Sequence, residues 1–350
     1  MEPSAYIPAY IEREYAAAHP ELTPSARELV HEQVQTDPSR FATGAHAQAL
    51  LVYARTRDQL LRDLGRIEDL PDDEYDRQRT RLFERGRADL HGIAESDRLC
   101  VDARLVDVLL ADAPLDACIN DLLRIEREVR GHLEGGVAGF DGEAPHFWAE
   151  AGLERDGETA AERTVHEPEV IGWLHSLEAL AQLCLATARY TAAARYARKV
   201  MRARGYTSMA AGTLLLALAR LEREDEFFAV ARDVDAGRQA APWGPVQDSP
   251  WFLLGRVLLL YKTGKRKPAV RALRDFAARC DGGAFFLLNP TYQTPYLPVR
   301  PPVKDAWERS RQAVWEADGI ISDVPDFAAW AQDVDGIEGI SESFAARHGF

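Results

Sequence analysis

The sequence has few cysteines, and none of them are paired at a redox or metal-binding spacing. The four cysteines, at positions 100, 118, 184 and 280, stand among apolar neighbours and form no CxxC motif. Isolated cysteines in such surroundings are most often buried, reduced core residues. The sequence therefore predicts neither a disulfide framework nor a zinc site, and it favours a reducing, cytoplasmic location.

A net positive charge, a long apolar run and a signal-like N-terminus are missing as well. The 350 residues carry a net charge of −14, which argues against a general phosphate-binding surface for nucleic acids. The most apolar run, residues 251–261, is interrupted by Arg256 and is too short to span a bilayer. The first residues show no basic segment followed by an apolar one. We therefore expect no membrane anchor and no general binding of nucleic acid.

The short motifs that accompany catalysis or cofactor binding are also missing from the sequence. Neither His31 nor His166, each followed by a glutamate, begins an HExxH motif. His146 and His175 share no helical i, i+4 spacing with each other or with a cysteine. No GxSxG elbow, phosphate-binding loop or dinucleotide fingerprint follows a predicted strand. The sequence predicts a protein that is not an enzyme, with no catalytic residues, no metal and no cofactor.

Helical periodicity, by contrast, runs through almost the whole chain. Residues 1–95 contain about four predicted helices. The first runs from Pro8 to Ala18, and the other three are opened by Thr23-Pro24, Asp37-Pro38 and Pro71. Residues 97–134 form a predicted helix pair, and a glycine-rich and charged insertion follows it. No alternating strand pattern is evident, so the fold class is predicted to be all-α.

A helix–turn–helix pattern then recurs three times, with turns at Ala188, Glu222 and Gly264, spaced 34 and 42 residues apart. A period near 34 is typical of tetratricopeptide repeats, which stack into a right-handed α-α superhelix. Ala193 and Ala269 occupy the close helix crossing in two units, whereas the middle unit has Phe227 and is expected to be splayed or shifted in register. The predicted array covers residues 96–333, with units at 97–134, 168–204, 208–236 and 250–280, capping helices at 303–332 and a C-terminal tail at 334–350.

A stacked array of this kind offers a concave groove that holds a segment of another protein, so we expect a protein–protein interaction scaffold. Aromatic residues and arginine dominate such interfaces. With the turns fixed as above, the predicted groove-lining residues are His175, Glu178, Gln182, Met209, Leu216, Arg220, Trp251, Leu258, Tyr261 and Lys262. An alternative for Trp251 and Tyr261 is packing against the chain's own proline-rich segment, residues 290–302.

Two basic clusters support an alternative function. They lie at residues 195–204 and 262–274, and they could contact nucleic acid or an acidic peptide. Aromatic residues that would stack on bases are not interleaved with them. The sequence therefore favours solvated outer helix faces for both clusters, and it does not identify the partner.

The chain also resembles a known group, the bacterial tetratricopeptide-repeat proteins akin to the suppressor-of-tumorigenicity-seven family. The resemblance covers roughly residues 90–332, and the stretches that carry it are residues 94–103, 147–148, 221–225, 288–290, 305–307 and 327–330. The asparagine-rich run expected after the second helix of the middle repeat is missing, because residues 202–209 have another sequence. The resemblance implies an all-helical repeat protein that acts as an interaction scaffold, without catalytic residues.

Overall fold

The structure is a computed structural model that describes residues 2–67, 70–136, 140, 142, 168–203, 206, 208–233, 246–293, 300 and 303–350. This described part contains α-helices and short 3-10 turns but no strand, so the prediction of an all-α fold is confirmed. Most of the predicted insertion after residue 136, including the aromatic pair at 147–148, lies outside the described residues. So does most of the proline-rich segment at 290–302.

Two compact units divide the chain. Unit 1 comprises residues 1–177 and 203–206, and unit 2 comprises residues 178–202 and 207–350. The predicted boundary near residue 95 is not where the structure divides, because the helix that ends at Ser96 packs along the next helix. The division instead falls within a single helix, between Leu177 and Glu178.

The described residues of unit 1 form six helices and the first half of a seventh. They are α1 (Pro3–Ala18), α2 (Pro24–Thr36), α3 (Ala45–Ile67), α4 (Asp72–Ser96), α5 (Val101–Leu109), α6 (Leu115–Gly136) and α7 (Pro168–Ala186). Helix α1 packs against α2 and α3, and the pairs α3–α4, α4–α5 and α5–α6 pack in sequence order, as expected for helices joined by short turns.

The starts of these helices follow local sequence signals. The Thr23 side chain accepts a hydrogen bond from the amide of Ala26 and caps α2, as its sequence predicts. Two predicted starts are corrected. The first helix begins at Pro3 and continues through Pro8, which lies inside it and has no amide hydrogen to donate to the Ser4 carbonyl. The proline after Asp37 opens a 3-10 turn, and α3 begins only after it.

The described residues of unit 2 continue from α7 through nine more helices. They are α8 (Tyr190–Met201), α9 (Ala210–Arg220), α10 (Glu224–Asp233), α11 (Pro250–Lys262), α12 (Arg266–Arg279), α13 (Gly283–Leu288), α14 (Ala306–Ser322), α15 (Phe327–Gln332) and α16 (Ile337–His348). Helices α8, α9, α11 and α12 pack consecutively, and α10 packs against α9. The third and fourth predicted units are therefore packed helix pairs, and the two helices of the second unit, α7 and α8, also lie at nearly the predicted bounds.

The three turns of these pairs have the same backbone geometry. Ala188, Glu222 and Gly264 all adopt a left-handed conformation, with φ of 57°, 58° and 74°. In each turn the following amide donates to the carbonyl five residues earlier, which is the Schellman arrangement that ends a helix. These bonds join Arg189 to Cys184 at 2.7 Å, Arg223 to Leu218 at 3.0 Å and Lys265 to Leu260 at 2.9 Å. The recurring sequence pattern therefore corresponds to a recurring turn geometry between consecutive helices.

The bulky Phe227 at the crossing position of the middle pair is accommodated by a glycine on the next pair. A Cβ atom built on Gly255 of α11 would lie 3.0 Å from the Phe227 ring, so the absent side chain makes room for it. Phe227 is fully buried, as are Ala193 and Ala269 at the equivalent positions. The expected splaying or register shift is thus offset by a small residue supplied from the neighbouring helix.

The predicted C-terminal tail is wrong, because residues 337–348 form α16. Ile337 and Phe344, seven residues apart on one helix face, are 0% and 1% exposed, and Ser341 between them is also buried. Phe344 contacts the rings of Phe285 and Phe286 on α13 at centroid distances of 5.3 and 5.7 Å. An apolar stripe of this kind packs a helix onto its neighbours.

Candidate partner-binding face

The first predicted groove positions lie on and next to α7, and they are half-buried. Glu178, Gln182 and Met209 all belong to unit 2 and keep part of their surface in contact with solvent. The Glu178 carboxylate accepts a hydrogen bond from the Met209 backbone amide at 3.3 Å. This bond joins α7 to the start of α9, so these two elements share one face.

Trp251, the predicted central anchor, is completely buried within unit 2. Its indole N–H donates to Glu316 Oε2 on α14 at 2.8 Å, and the Arg300 guanidinium lies 5.1 Å from the ring centre. Arg300 also binds both Glu316 carboxylate oxygens, at 2.5 and 2.6 Å, and donates to the Thr213 hydroxyl at 3.2 Å. Residues of the chain itself therefore bind the indole N–H and cover the ring of Trp251, which a partner was expected to contact.

Tyr261, the second predicted anchor, is covered by α15. Its ring lies 5.1 Å from Phe327 and 4.5 Å from Trp330, measured between ring centres. The Arg266 guanidinium lies 3.6 Å from the Tyr261 ring centre, at the distance of a cation–π contact. Tyr261 is 5% exposed, so it packs as a core residue of unit 2.

The charged residues of the predicted groove bind the end of α14 or the neighbouring repeat. The Arg220 guanidinium donates to Asp323 Oδ2 at 2.8 Å, and the Tyr190 hydroxyl lies 3.4 Å from the same oxygen. The hydrogen bond from Arg220 lowers the pKa of Asp323 and raises that of Arg220 itself. Lys262 lies 3.7 Å from the Glu222 carboxylate.

The prediction of an open groove lined by large anchors is therefore corrected for its second half. Leu216 and Leu258 are fully buried, as Trp251 is. Helices α14 and α15 cover this face, and α14 packs on both α9 and α11. The sequence offered packing against the proline-rich segment as an alternative for Trp251 and Tyr261, and in the structure Arg300 of that segment lies against Trp251.

Some cations of the two basic clusters pair with acids of neighbouring segments. Arg198 pairs with Glu226 on α10, and Lys265 pairs with Glu224 at 2.5 Å. Arg274 lies 3.6 Å from Asp335. Cations that already bind carboxylates have less charge to offer a phosphate backbone.

A cluster of titratable side chains in unit 1 was not predicted from the sequence. Asp102 is 4% exposed and accepts hydrogen bonds from the Tyr6 hydroxyl at 2.9 Å and from His175 Nδ1 at 2.8 Å. Asp97 lies 2.5 Å from His46 Nδ1. The predicted groove residue His175 therefore forms a hydrogen bond with a buried carboxylate.

The chemistry of this cluster follows from burial and pairing. Burial alone would raise the pKa of Asp102, but the charge and hydrogen bond of His175 and the Tyr6 hydroxyl outweigh it and lower the pKa. Burial raises the pKa of Tyr6 well above its ordinary value. The His46 Nε2 atom is buried without a hydrogen-bond partner among the described residues, 3.8 Å from Glu169 Oε1. The arrangement ties residues 97–102 to α1, α3 and α7.

One feature of the sequence lies close to this cluster. Asp97 and Asp102 both lie within the stretch 94–103 that carries the family resemblance, next to the buried Cys100. Their histidine partners are 51 and 73 residues away, so no local pattern links them. Among the residues that the structure describes, no group of three or more His, Cys, Asp or Glu side chains is placed to hold a metal. Within the same ranges, no helix combines the length and apolarity needed to cross a bilayer.

Comparison with known proteins gives no further assignment. No family model, curated protein or solved structure matches the chain. The resemblance to suppressor-of-tumorigenicity-seven-like repeat proteins therefore stays a prediction from the residues quoted above.

Proposed function

We propose that this chain is a non-enzymatic interaction scaffold of the tetratricopeptide type, in which the pairs α7–α8, α9–α10 and α11–α12 form a right-handed superhelical array. The array binds a segment of another protein on the face formed by α7, α9 and α11. The three equivalent Schellman turns support this proposal, because repeated joints produce repeated helix pairs with a common inner face.

The observation that carries the proposal is that this face already holds helices of its own chain. Trp251 binds Glu316 of α14, Tyr261 packs on α15, and Arg220 binds Asp323 after α14. Aromatic anchors with a charged rim are the residue types that hold peptide segments at interfaces. The face is therefore suited by shape and chemistry to a helical ligand.

We place the partner at the half-buried end of the face, at Glu178, Gln182 and Met209. A partner helix lying there would extend the row of helices that α14 begins. The pairing of the basic clusters with neighbouring acids makes a nucleic-acid function the weaker alternative.

The test is partner capture by the full chain with two half-buried residues enlarged and charged. We expect Gln182→Arg combined with Met209→Arg to abolish the capture of specific partners, identified by in-cell cross-linking and mass spectrometry. Circular dichroism should show unchanged helical content, because neither side chain is fully buried.

Arg195→Glu is the matched control, because Arg195 is exposed on α8 and belongs to the first basic cluster. This variant should keep the same partners. If the double variant captures the same partners as the unchanged chain, the proposed face is wrong. If Arg195→Glu loses them instead, the basic cluster is the binding surface.

A further inference from the structure

A second surface, in unit 1, has the chemistry of a docking site for an acidic helix. Helices α3 and α4 run side by side, and an open groove of about 440 Å³ lies between them. Leu60 and Leu82 form part of its floor, and Gly86 supplies no side chain to fill it. A Cβ at Gly86 would meet only the side-chain carbons of Leu60 and Leu110, at ordinary distances of 3.5 to 3.6 Å.

The rim of this α3–α4 groove is positive in a chain whose net charge is −14. Arg55, Arg62 and Arg85 line it together with one carboxylate, Asp89. Arg85 is engaged by Asp63, at 2.6 Å. The two other arginines are the cations that the groove leaves to a ligand.

Arg55 and Arg62 are exposed and stand on the same face of α3. Neither forms an ion pair within the described part of the chain, and Arg62 donates to the Gln59 side-chain oxygen at 3.0 Å. Seven residues separate them, which places them about 10 Å apart along the helix. Val52, seven residues before Gln59 on the same face, is 46% exposed and extends the apolar surface.

We infer that the α3–α4 groove binds an acidic amphipathic helix of a partner protein. The partner's leucine-like side chains lie on Leu60 and Leu82, and two carboxylates two helical turns apart bind Arg55 and Arg62. A third helix laid along two packed helices buries its apolar stripe as in a helical bundle. The apolar floor and Asp89 favour such a peptide over a polyphosphate chain. This site is separate from the face on α7, α9 and α11, and it does not depend on the function proposed for that face.

The experiment measures binding of a fluorescent peptide to the full chain by anisotropy at an ionic strength of about 0.15 M, where the Debye length is about 8 Å. The probe is an amphipathic helix of about 16 residues, with two glutamates two turns apart and leucines between them. We expect Arg55→Glu combined with Arg62→Glu to weaken binding by about tenfold or more, because two attractive contacts become repulsive. A probe with lysine in place of glutamate should bind the unchanged chain more weakly than the glutamate probe does.

Two further variants separate the groove from general charge effects. Arg77→Glu combined with Arg79→Glu makes the same charge change on α4 outside the groove, where both arginines pair with acids three residues away. It should change binding by less than about twofold, because exposed distant charges are screened. Gly86→Leu fills the floor without any charge change and should also weaken binding by about tenfold.

Several outcomes would overturn the inference. Equal weakening by the two double variants would show that the peptide responds to net charge and not to this groove. Undiminished binding by Gly86→Leu, with helical content intact, would show that the floor is not used. Tighter binding of a single-stranded RNA oligonucleotide, lost in the Arg55/Arg62 variant, would assign the arginines to nucleic acid. Loss of peptide binding would leave the Gln182/Met209 experiment unaffected, so the two proposals can fail separately.

Discussion

Unit 1 and unit 2 fill their interiors in different ways. Unit 1 buries the carboxylate of Asp102 and satisfies it with Tyr6 and His175 from two different helices. Unit 2 stacks leucine- and alanine-rich helices and places glycines opposite aromatic rings, as at Gly212 beneath Trp251. A buried polar network determines which groups contact each other. A glycine that faces an aromatic ring, here called a glycine notch, determines how closely two helices approach.

The two units also differ in where they place their buried charges. In unit 2 the buried ion pair of Arg300 and Glu316 lies where α14 covers the repeat pairs, and the turns between paired helices are held by backbone bonds. In unit 1 the charged groups lie between the helices that form the core. We therefore expect unit 1 to depend on single polar side chains and unit 2 on the fit of side-chain volumes.

The largest expected effect is the loss of the Asp102 carboxylate. Asp102→Ala should destabilise unit 1 by about 3–5 kcal/mol, because it leaves His175 and Tyr6 without their buried partner. Urea unfolding monitored by hydrogen exchange, resolved by peptide, would show faster exchange in α1, α5 and α7. Exchange in α11 and α12 should stay close to that of the unchanged chain, and equal loss throughout would contradict the contrast between the units.

Acidification should weaken unit 1 through the same residue. The pKa of Asp102 is lower in the folded chain than its ordinary value of 3.8, so its ionisation stabilises the fold above that pH. This stabilisation is lost as the pH falls through the folded-state pKa. Unfolding measured at pH 7, 5 and 3 should show it, and the Asp102→Asn variant, which cannot ionise, should show a shallower decline. Parallel declines would mean that other carboxylates control acid stability.

In unit 2 a change of volume should matter more than a change of charge. Gly212→Ala places a Cβ within 2.8 to 3.1 Å of the Trp251 ring, so the packing must shift at a cost of about 1–3 kcal/mol. Gly131→Ala on α6 is the control, since a Cβ there meets nothing within 4 Å. It should stabilise by up to about 1 kcal/mol, because alanine favours a helix over glycine. Thermal unfolding of both variants measures the difference, and destabilisation by both would show that the notch is not specific.

The sequence predicted what depends on neighbouring residues. The helices and the turns at Ala188 and Gly264 follow from periodicity and from the residues at helix ends, which act over a few positions. Contacts between distant residues were missed. The pairing of His175 with Asp102 joins residues 73 positions apart, and Trp251 meets Glu316 from 65 positions away. The apolar pattern predicted that Trp251 lies on the inner face of the helix pairs, but it did not predict that α14 covers that face.

The smallest expected effect compares two repeat turns that differ by one methyl group. Ala188 and Gly264 are both exposed and both left-handed, but only glycine adopts that conformation without strain. Ala188→Gly should therefore stabilise unit 2 by up to about 1 kcal/mol, reduced by the greater freedom of glycine in the unfolded chain, and Gly264→Ala should destabilise it by about as much. A Cβ at Gly264 meets nothing within 4 Å, so the backbone alone decides its effect.

In unit 1, Gly92 lies inside α4, and a Cβ there also meets nothing within 4 Å, so Gly92→Ala should stabilise the fold. Replacing glycine by alanine should therefore change the free energy of unfolding in opposite directions at Gly92 and Gly264. Chemical denaturation of the three variants gives the signs, and a shift of Ala188→Gly and Gly264→Ala in the same direction would mean that the two turns are not equivalent joints.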